Sequence, residues 1–219
     1  MRHDAETMTT RFKRSCCFGA VLGFLTAMTA APAAADEYFY VVNSSTKMMA
    51  EVMGHSKDIG AWVGLWPHYG GTSQQFAMVW TKSPGAFPTS DSDPWFLLKA
   101  RHSGLCLRTN GYQSGAPIVQ AECGGESGQM WRVRTIAMTP AECPGGRCFA
   151  SERHVLQDYY DRGKRCLDAA NGKFPAPPLQ GAALQAWDCI GKFSAANAVN
   201  QEWELVNVKD WNAPGPVVH

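Results

Sequence analysis

The sequence predicts an all-β chain built from three copies of one short plan. Three observations carry that expectation. Gly 21 and Pro 13 break the 219 residues into short segments, too short for a long helical bundle. The segments between these breaks hold 24 aromatic residues (Trp 8, Tyr 6, Phe 10), a composition suited to strands. A Gln-x-aromatic unit recurs, as Gln74-Gln75-Phe76, Gln129-Met130-Trp131 and Gln201-Glu202-Trp203. The units begin at 74, 129 and 201, so they lie 55 and 72 residues apart, and unequal spacing means insertions between matching units.

Composition bounds the function as well. Hydrophobic residues make up 45% and charged residues 18%, enough apolar material for a core and too much for a disordered chain. The formal net charge is +1. That leaves no basic surplus to neutralise a phosphate backbone, which argues against nucleic acid as partner.

The first 35 residues read as a secretory signal peptide and are set apart from the fold. Arg11, Lys13 and Arg14 form a basic start, an apolar run covers 16–28, and Ala30-Ala31-Pro32-Ala33-Ala34-Ala35 offers small residues for cleavage before Asp36-Glu37. A membrane anchor is the alternative, but the run is short and its Ala-rich end suits a peptidase. Beyond it no stretch reaches 18 consecutive apolar residues, so no membrane span is expected in 36–219. The expected product is one exported domain, secreted or periplasmic, of 184 residues.

Cys16 and Cys17 would leave with that segment. Cys106, Cys123, Cys143, Cys148, Cys166 and Cys189 remain, and an even count in an exported chain reads as three disulfides. Six cysteines allow 15 pairings, which the count alone does not resolve. A metal site is not expected, because there is no C-x-x-C and the six histidines are scattered. No cofactor is expected.

The repeats can be followed element by element. The third runs Arg165-Cys166-Leu167-Asp168, then Leu184-Gln185-Ala186-Trp187-Asp188-Cys189, then Asn200-Gln201-Glu202-Trp203. The second runs Leu105-Cys106-Leu107-Arg108, then Ile118-Val119-Gln120-Ala121-Glu122-Cys123, then Gly128-Gln129-Met130-Trp131. The first runs Met49-Ala50-Glu51-Val52-Met53-Gly54, then Val63-Gly64-Leu65-Trp66-Pro67-His68, then Ser73-Gln74-Gln75-Phe76. The repeats span about 38–80, 96–134 and 153–206, with a tail at 207–219. Loop-like insertions occupy 82–94, 139–147, 174–181 and 191–199. Each repeat is too short to bury its own apolar face, so three must share one core.

This pattern resembles the ricin-type lectin family, a β-trefoil with Gln-x-Trp repeats. The marks are Gln129-Met130-Trp131, Gln201-Glu202-Trp203, the decayed Gln74-Gln75-Phe76 and the box Cys166-Leu167-Asp168. The resemblance implies three four-stranded units with Phe76, Trp131 and Trp203 in the shared core. It also implies bridges Cys106–Cys123 and Cys166–Cys189 inside repeats two and three. Cys143 and Cys148 enclose the turn Pro144-Gly145-Gly146-Arg147 and would bridge the second insertion.

The same resemblance assigns a carbohydrate site to each repeat: a carboxylate for sugar hydroxyls, an aromatic ring for the pyranose face and a side-chain amide. Repeat three has every part, with Asp168, Gln185, Trp187, Asn200 and Gln201, although Ile190 stands where the family often has a basic residue. Repeat two has Arg108, Ala121 and Gly128 at the matching positions and is expected to serve the fold only. Repeat one is a weaker second candidate, with Glu51, Trp66 and Gln74. Its longer carboxylate is expected to push a sugar outward, Ser73 replaces the amide and Gly64 replaces Gln185.

The implied function is non-catalytic binding of a galactose-type or related glycan. Asp91 with Asp93 and Asp158 with Asp161 are carboxylate pairs, but all four are read as turn residues rather than acid/base dyads. No nucleophile or metalloprotease signature is present. The alternative is a cell-binding or accessory subunit of a secreted toxin, resembling the lectin subunits of cytolethal distending toxins. The partner would then be a toxin or enzyme chain docked on the inserts or the tail.

Overall fold

A computed structural model describes residues 37–80, 95–138, 152–160, 163–172, 177–190 and 199–211. Twelve strands account for these segments, joined by turns and three 3-10 turns of three residues each. Repeat one supplies β1 (Tyr38–Asn43), β2 (Met49–Val52), β3 (Val63–Trp66) and β4 (Gln75–Trp80). Repeat two supplies β5 (Phe96–Ala100), β6 (Cys106–Thr109), β7 (Ala116–Ala121) and β8 (Met130–Met138). Repeat three supplies β9 (Glu152–Asp158), β10 (Arg165–Ala169), β11 (Leu184–Asp188) and β12 (Trp203–Asn207).

The outer strands of each repeat pair with each other and with the next repeat. The sequence β1–β4–β5–β8–β9–β12 returns to β1, so six antiparallel strands close into a barrel with no free edge. The inner strands form three hairpins, β2–β3, β6–β7 and β10–β11. These meet in a second ring, through Trp62 and Val119, Gln185 and Pro117, and Gly64 and Ala183. Their registers agree: Glu51 faces Gly64, Arg108 faces Val119 and Asp168 faces Gln185. The structure thus aligns Met49-Ala50-Glu51 with Cys166-Leu167-Asp168, as the repeat reading requires.

The core follows from that symmetry. Phe76, Trp131 and Trp203 are each 0% exposed and enter one apolar cluster with Val63, Ile118 and Leu184 from the hairpins. Alternation does the sorting: in each hairpin the residue before the site position points inward. Buried indoles need an acceptor. Trp203 Nε1 donates to the Leu167 carbonyl at 2.9 Å and Trp131 Nε1 to the equivalent Leu107 carbonyl at 3.5 Å.

Cys106–Cys123 and Cys166–Cys189 are bonded, each with Cα atoms 5.0 Å apart. The third expected bridge, Cys143–Cys148, lies outside the described residues, as do residues 1–36, insert 82–94 and Asp91, Asp93 and Asp161. Repeat one has Met49 and His68 at the two cysteine positions. Apolar packing replaces the bridge there: Tyr40, Val42 and Met49 are buried, and Val206, Val208 and Trp211 pack against them. The His68 ring lies 4.9 Å from Tyr40 and 5.0 Å from Trp211, and burial lowers its pKa. The start of the tail is therefore part of the fold.

One reading of a residue needs correction. Asp158 is not a turn residue. It ends β9, is 0% exposed and faces the Arg165 guanidinium at 3.2 Å, while Thr109 Oγ1 donates to it at 3.3 Å.

Candidate functional site

The glutamine of each Gln-x-aromatic unit fastens a loop. Gln201 Oε1 accepts from Ile190 N at 3.1 Å, and its Nε2 donates to the Asp188 carbonyl at 3.1 Å. Gln74 does the same for Tyr69 N and the Pro67 carbonyl, at 3.2 and 2.9 Å. Gln129 accepts from Gly124 N at 2.9 Å and donates to the Glu122 carbonyl at 2.5 Å. These loops leave the third strand of each repeat, beside the site positions. The amide satisfies backbone groups that no strand pairs.

In repeat three that clamp reaches a carboxylate. Gln201 Nε2 also donates to Asp168 Oδ2 at 3.0 Å, Asn200 Nδ2 donates to the same oxygen at 2.5 Å, and Gln185 Nε2 donates to Oδ1 at 2.8 Å. Asp168 is 1% exposed. Burial pushes its pKa up to about 6, against the pull of the Gln185 and Gln201 bonds. A carboxylate offers roughly four acceptor positions, so three donors leave one for a ligand.

Beside this cluster the Trp187 ring is 45% exposed. Its edge rests on Gly115 of the neighbouring repeat, where an added Cβ would lie 3.0 Å from Cζ3. Gly115 has φ +88, a conformation that favours glycine. Together Asp168, Gln185, Trp187, Asn200 and Gln201 line one cleft of about 670 Å³, joined by Ala170, Asn171, Gly172, Asp188 and Ile190. The structure thus brings all five residues expected for repeat three to one place. Sequence reasoning missed Asp188 and Gly115. Asp188 could have been found from its position after Trp187, whereas nothing local marks Gly115.

Repeat one is closed by its own chain. Glu51 is 3% exposed and turns inward rather than outward: Gln74 Nε2 donates to Oε2 at 2.9 Å and the Tyr69 hydroxyl to Oε1 at 3.0 Å. That hydroxyl also lies 2.6 Å from Ser73 Oγ and 3.3 Å from His55 Nδ1. Burial is the largest cause that raises the Tyr69 pKa. The Trp62 ring covers Gly64, where an added Cβ would lie 2.8 Å from Cζ3. Trp66 is 36% exposed at the position of Trp187, but the Tyr69 hydroxyl already bonds the carboxylate beneath it from within the repeat.

Repeat two is filled too. The Tyr160 ring occupies the place of the missing amide, 2.6 Å from where a Cβ on Gly128 would be. Arg108 Nη2 donates to Asn110 Oδ1 at 3.2 Å, and Tyr112 stacks edge-on against Tyr160 at 4.4 Å.

No protein-family profile and no curated protein matches the chain. Solved structures do. A designed threefold-symmetric protein, ThreeFoil, is 23% identical at a TM-score of 0.54, covering 77% of this chain and 97% of its own. The Macrolepiota procera ricin B-like lectin, solved with lactose, is 14% identical at 0.51, covering 80% and 99%. An exo-β-1,3-galactanase from Clostridium thermocellum is 19% identical at 0.56, covering 81% of this chain, which spans 31% of that enzyme. Among the described residues no helix is long and apolar enough to cross a membrane. Barrel, hairpin ring and neighbours agree that the described residues between 38 and 207 fold as a β-trefoil, the fold of the ricin B-like lectins.

Proposed function

We propose that this protein binds glycans without turning them over, and that repeat three does the binding. One observation carries the reading: an exposed Trp187 ring stands beside a carboxylate held by three amides, in one cleft. An aromatic ring packs on the apolar face of a pyranose while amides and a carboxylate take its hydroxyls. That the Macrolepiota lectin was solved with lactose supports a galactose-type ligand. The two disulfides support export to an oxidising compartment after loss of residues 1–35. Binding without turnover is supported by Asp168 itself, whose three protein donors leave little nucleophilicity.

The test is a glycan array of the chain beside its Trp187→Ala variant. Signals on galactose-terminated or related glycans, lost in the variant, are expected. Equal signals from both proteins would place binding elsewhere. Sustained release of sugar from any array glycan would contradict a non-catalytic role.

A further inference from the structure

The third strand of each repeat is fastened from the neighbouring repeat by a glycine at one shared position. Gly60 N donates to the Gln120 carbonyl, Gly115 N to the Ala186 carbonyl and Gly181 N to the Leu65 carbonyl, each at 2.8 Å. Gln120, Ala186 and Leu65 are equivalent, since they face Leu107, Leu167 and Ala50 in the three hairpins. In each repeat the next residue holds the stacking position: Ala121, Trp187 or Trp66.

Three departures from that symmetry fall on Trp187. The residue before the glycine is Ile59, Ser114 or Gln180. Ser114 Oγ accepts from Asp188 N at 3.0 Å. Ile59 has no polar side-chain atom, and at the position of Asp188 repeat one has Pro67, which lacks an N–H for Gln180 to take. The ring support differs as well. A Cβ added to Gly115 would lie 3.0 Å from Trp187 Cζ3, whereas one added to Gly181 would meet nothing within 4 Å, so Trp66 has no such rest. Finally, the loop under Trp187 is anchored in the interior. Arg165, 2% exposed and facing Asp158 at 3.2 Å, donates from Nη1 to the Gln113 carbonyl at 3.1 Å. Met48 and Leu105 stand at that position in the other repeats and have no donor to offer. Both peptide groups of Trp187 are thus tied to repeat two, one through the Ala186 carbonyl and one through the Asp188 N–H, and its ring edge lies on the same loop.

An exposed ring that swings loses rotamer freedom on binding, and a ring already held does not. We infer that Ser114 is a positioning residue of the repeat-three cleft. With Gly115 it holds the Trp187 ring ready for a pyranose face, so repeat two, closed as a site of its own, builds part of its neighbour's. This rests on the proposed function, since it concerns the platform of that same cleft.

The test is titration calorimetry of the full chain with lactose, beside Tm and the nitrogen–proton signal of the Trp187 indole in the free protein. The variants are Ser114→Ala, Ser114→Thr and Gln180→Ala. Ser114→Ala removes one neutral hydrogen bond and should weaken binding about three- to tenfold, with a shifted or broadened indole signal and little change in Tm. Ser114→Thr keeps the hydroxyl and should restore both affinity and signal. Gln180→Ala, at the matching position beside repeat one, should bind like the parent. Parent-like binding by Ser114→Ala would overturn the inference and leave the proposed function standing. So would weaker binding with an unmoved indole signal, or a loss that Ser114→Thr does not restore. Absence of heat with the parent chain would overturn the galactose-type reading itself, and this inference with it.

Discussion

Asp168 owes its properties to its surroundings. Its pKa of about 6 lies above the 3.8 of an ordinary aspartate. A carboxyl raised by folding favours the fold when protonated. Its contribution is therefore intact below about pH 4 and lost as pH rises through about 6, on the order of 3 kcal/mol in all. Ligand donors prefer the ionised carboxylate, so affinity runs the other way and should weaken as pH falls below about 6. Carboxyl carbon NMR should give Asp168 a midpoint near 6 in the free protein and a lower one with sugar bound. A free-protein midpoint near 4 would contradict the burial argument. Asp168→Asn should cost stability as well as binding, by roughly 1–3 kcal/mol. The clamp by Ile190 N and the Asp188 carbonyl fixes the Gln201 amide, so an Asn amide would point a donor at a donor. The burial of Asp168 is not visible in a Cys-Leu-Asp box, which marks the acid as a site residue only. Trp187→Ala should act on binding alone, costing roughly 1–3 kcal/mol of affinity with little change in Tm, since the ring is exposed. Gly115→Ala should weaken binding by moving that ring; titration calorimetry would show the weaker binding, and a shifted Trp187 indole nitrogen–proton signal in the free protein would show the moved ring.

At the scale of elements, the three glutamine clamps separate fold from function. All three fasten the loop after the third strand, but only Gln74 and Gln201 also hold a carboxylate. Gln129→Ala strips two backbone N–H groups and a carbonyl of their partner, so it should lower stability by roughly 1–3 kcal/mol and leave glycan binding as it was. Gln201→Ala should lower both. Thermal melts beside calorimetry would check the pair, and equal effects on binding would show that the clamp in repeat three is merely structural. The hairpin β10–β11 has a second fastening, since Cys166–Cys189 joins the start of β10 to the residue after β11. Removing that bridge should cost about 2–4 kcal/mol.

For the whole molecule, the repeat was legible because symmetry writes itself into sequence. Three Gln-x-aromatic units predict the strand plan and the core ring, and the resemblance they carry implies the two described bridges. The five residues of repeat three were legible for the same reason. What closes the other two repeats was not. Tyr160 reaches repeat two from the β9–β10 turn, a partner 32 residues from Gly128 that no repeat offset indicates. Tyr69 lies within its own repeat, but its hydroxyl meets Glu51 only after the Gln74 clamp has folded the loop back. Replacement of the repeat-one bridge by Tyr40, His68 and Trp211 joins three distant parts of the chain and shows no periodicity. The pseudo-threefold fold is thus carried by repeated positions, and the difference between one open cleft and two filled ones by residues at positions that the repeats do not share.

The most direct test of that difference is a nitrogen–proton NMR titration of the chain with a galactose-type sugar, followed at the side chains. The account predicts shifts at the Trp187 indole and at the amides of Gln185, Asn200 and Gln201, with the Trp66 indole and the Gln74 and Gln129 amides unmoved. Shifts confined to Trp66 and Gln74 would contradict it, because binding would then lie in the repeat that Tyr69 closes.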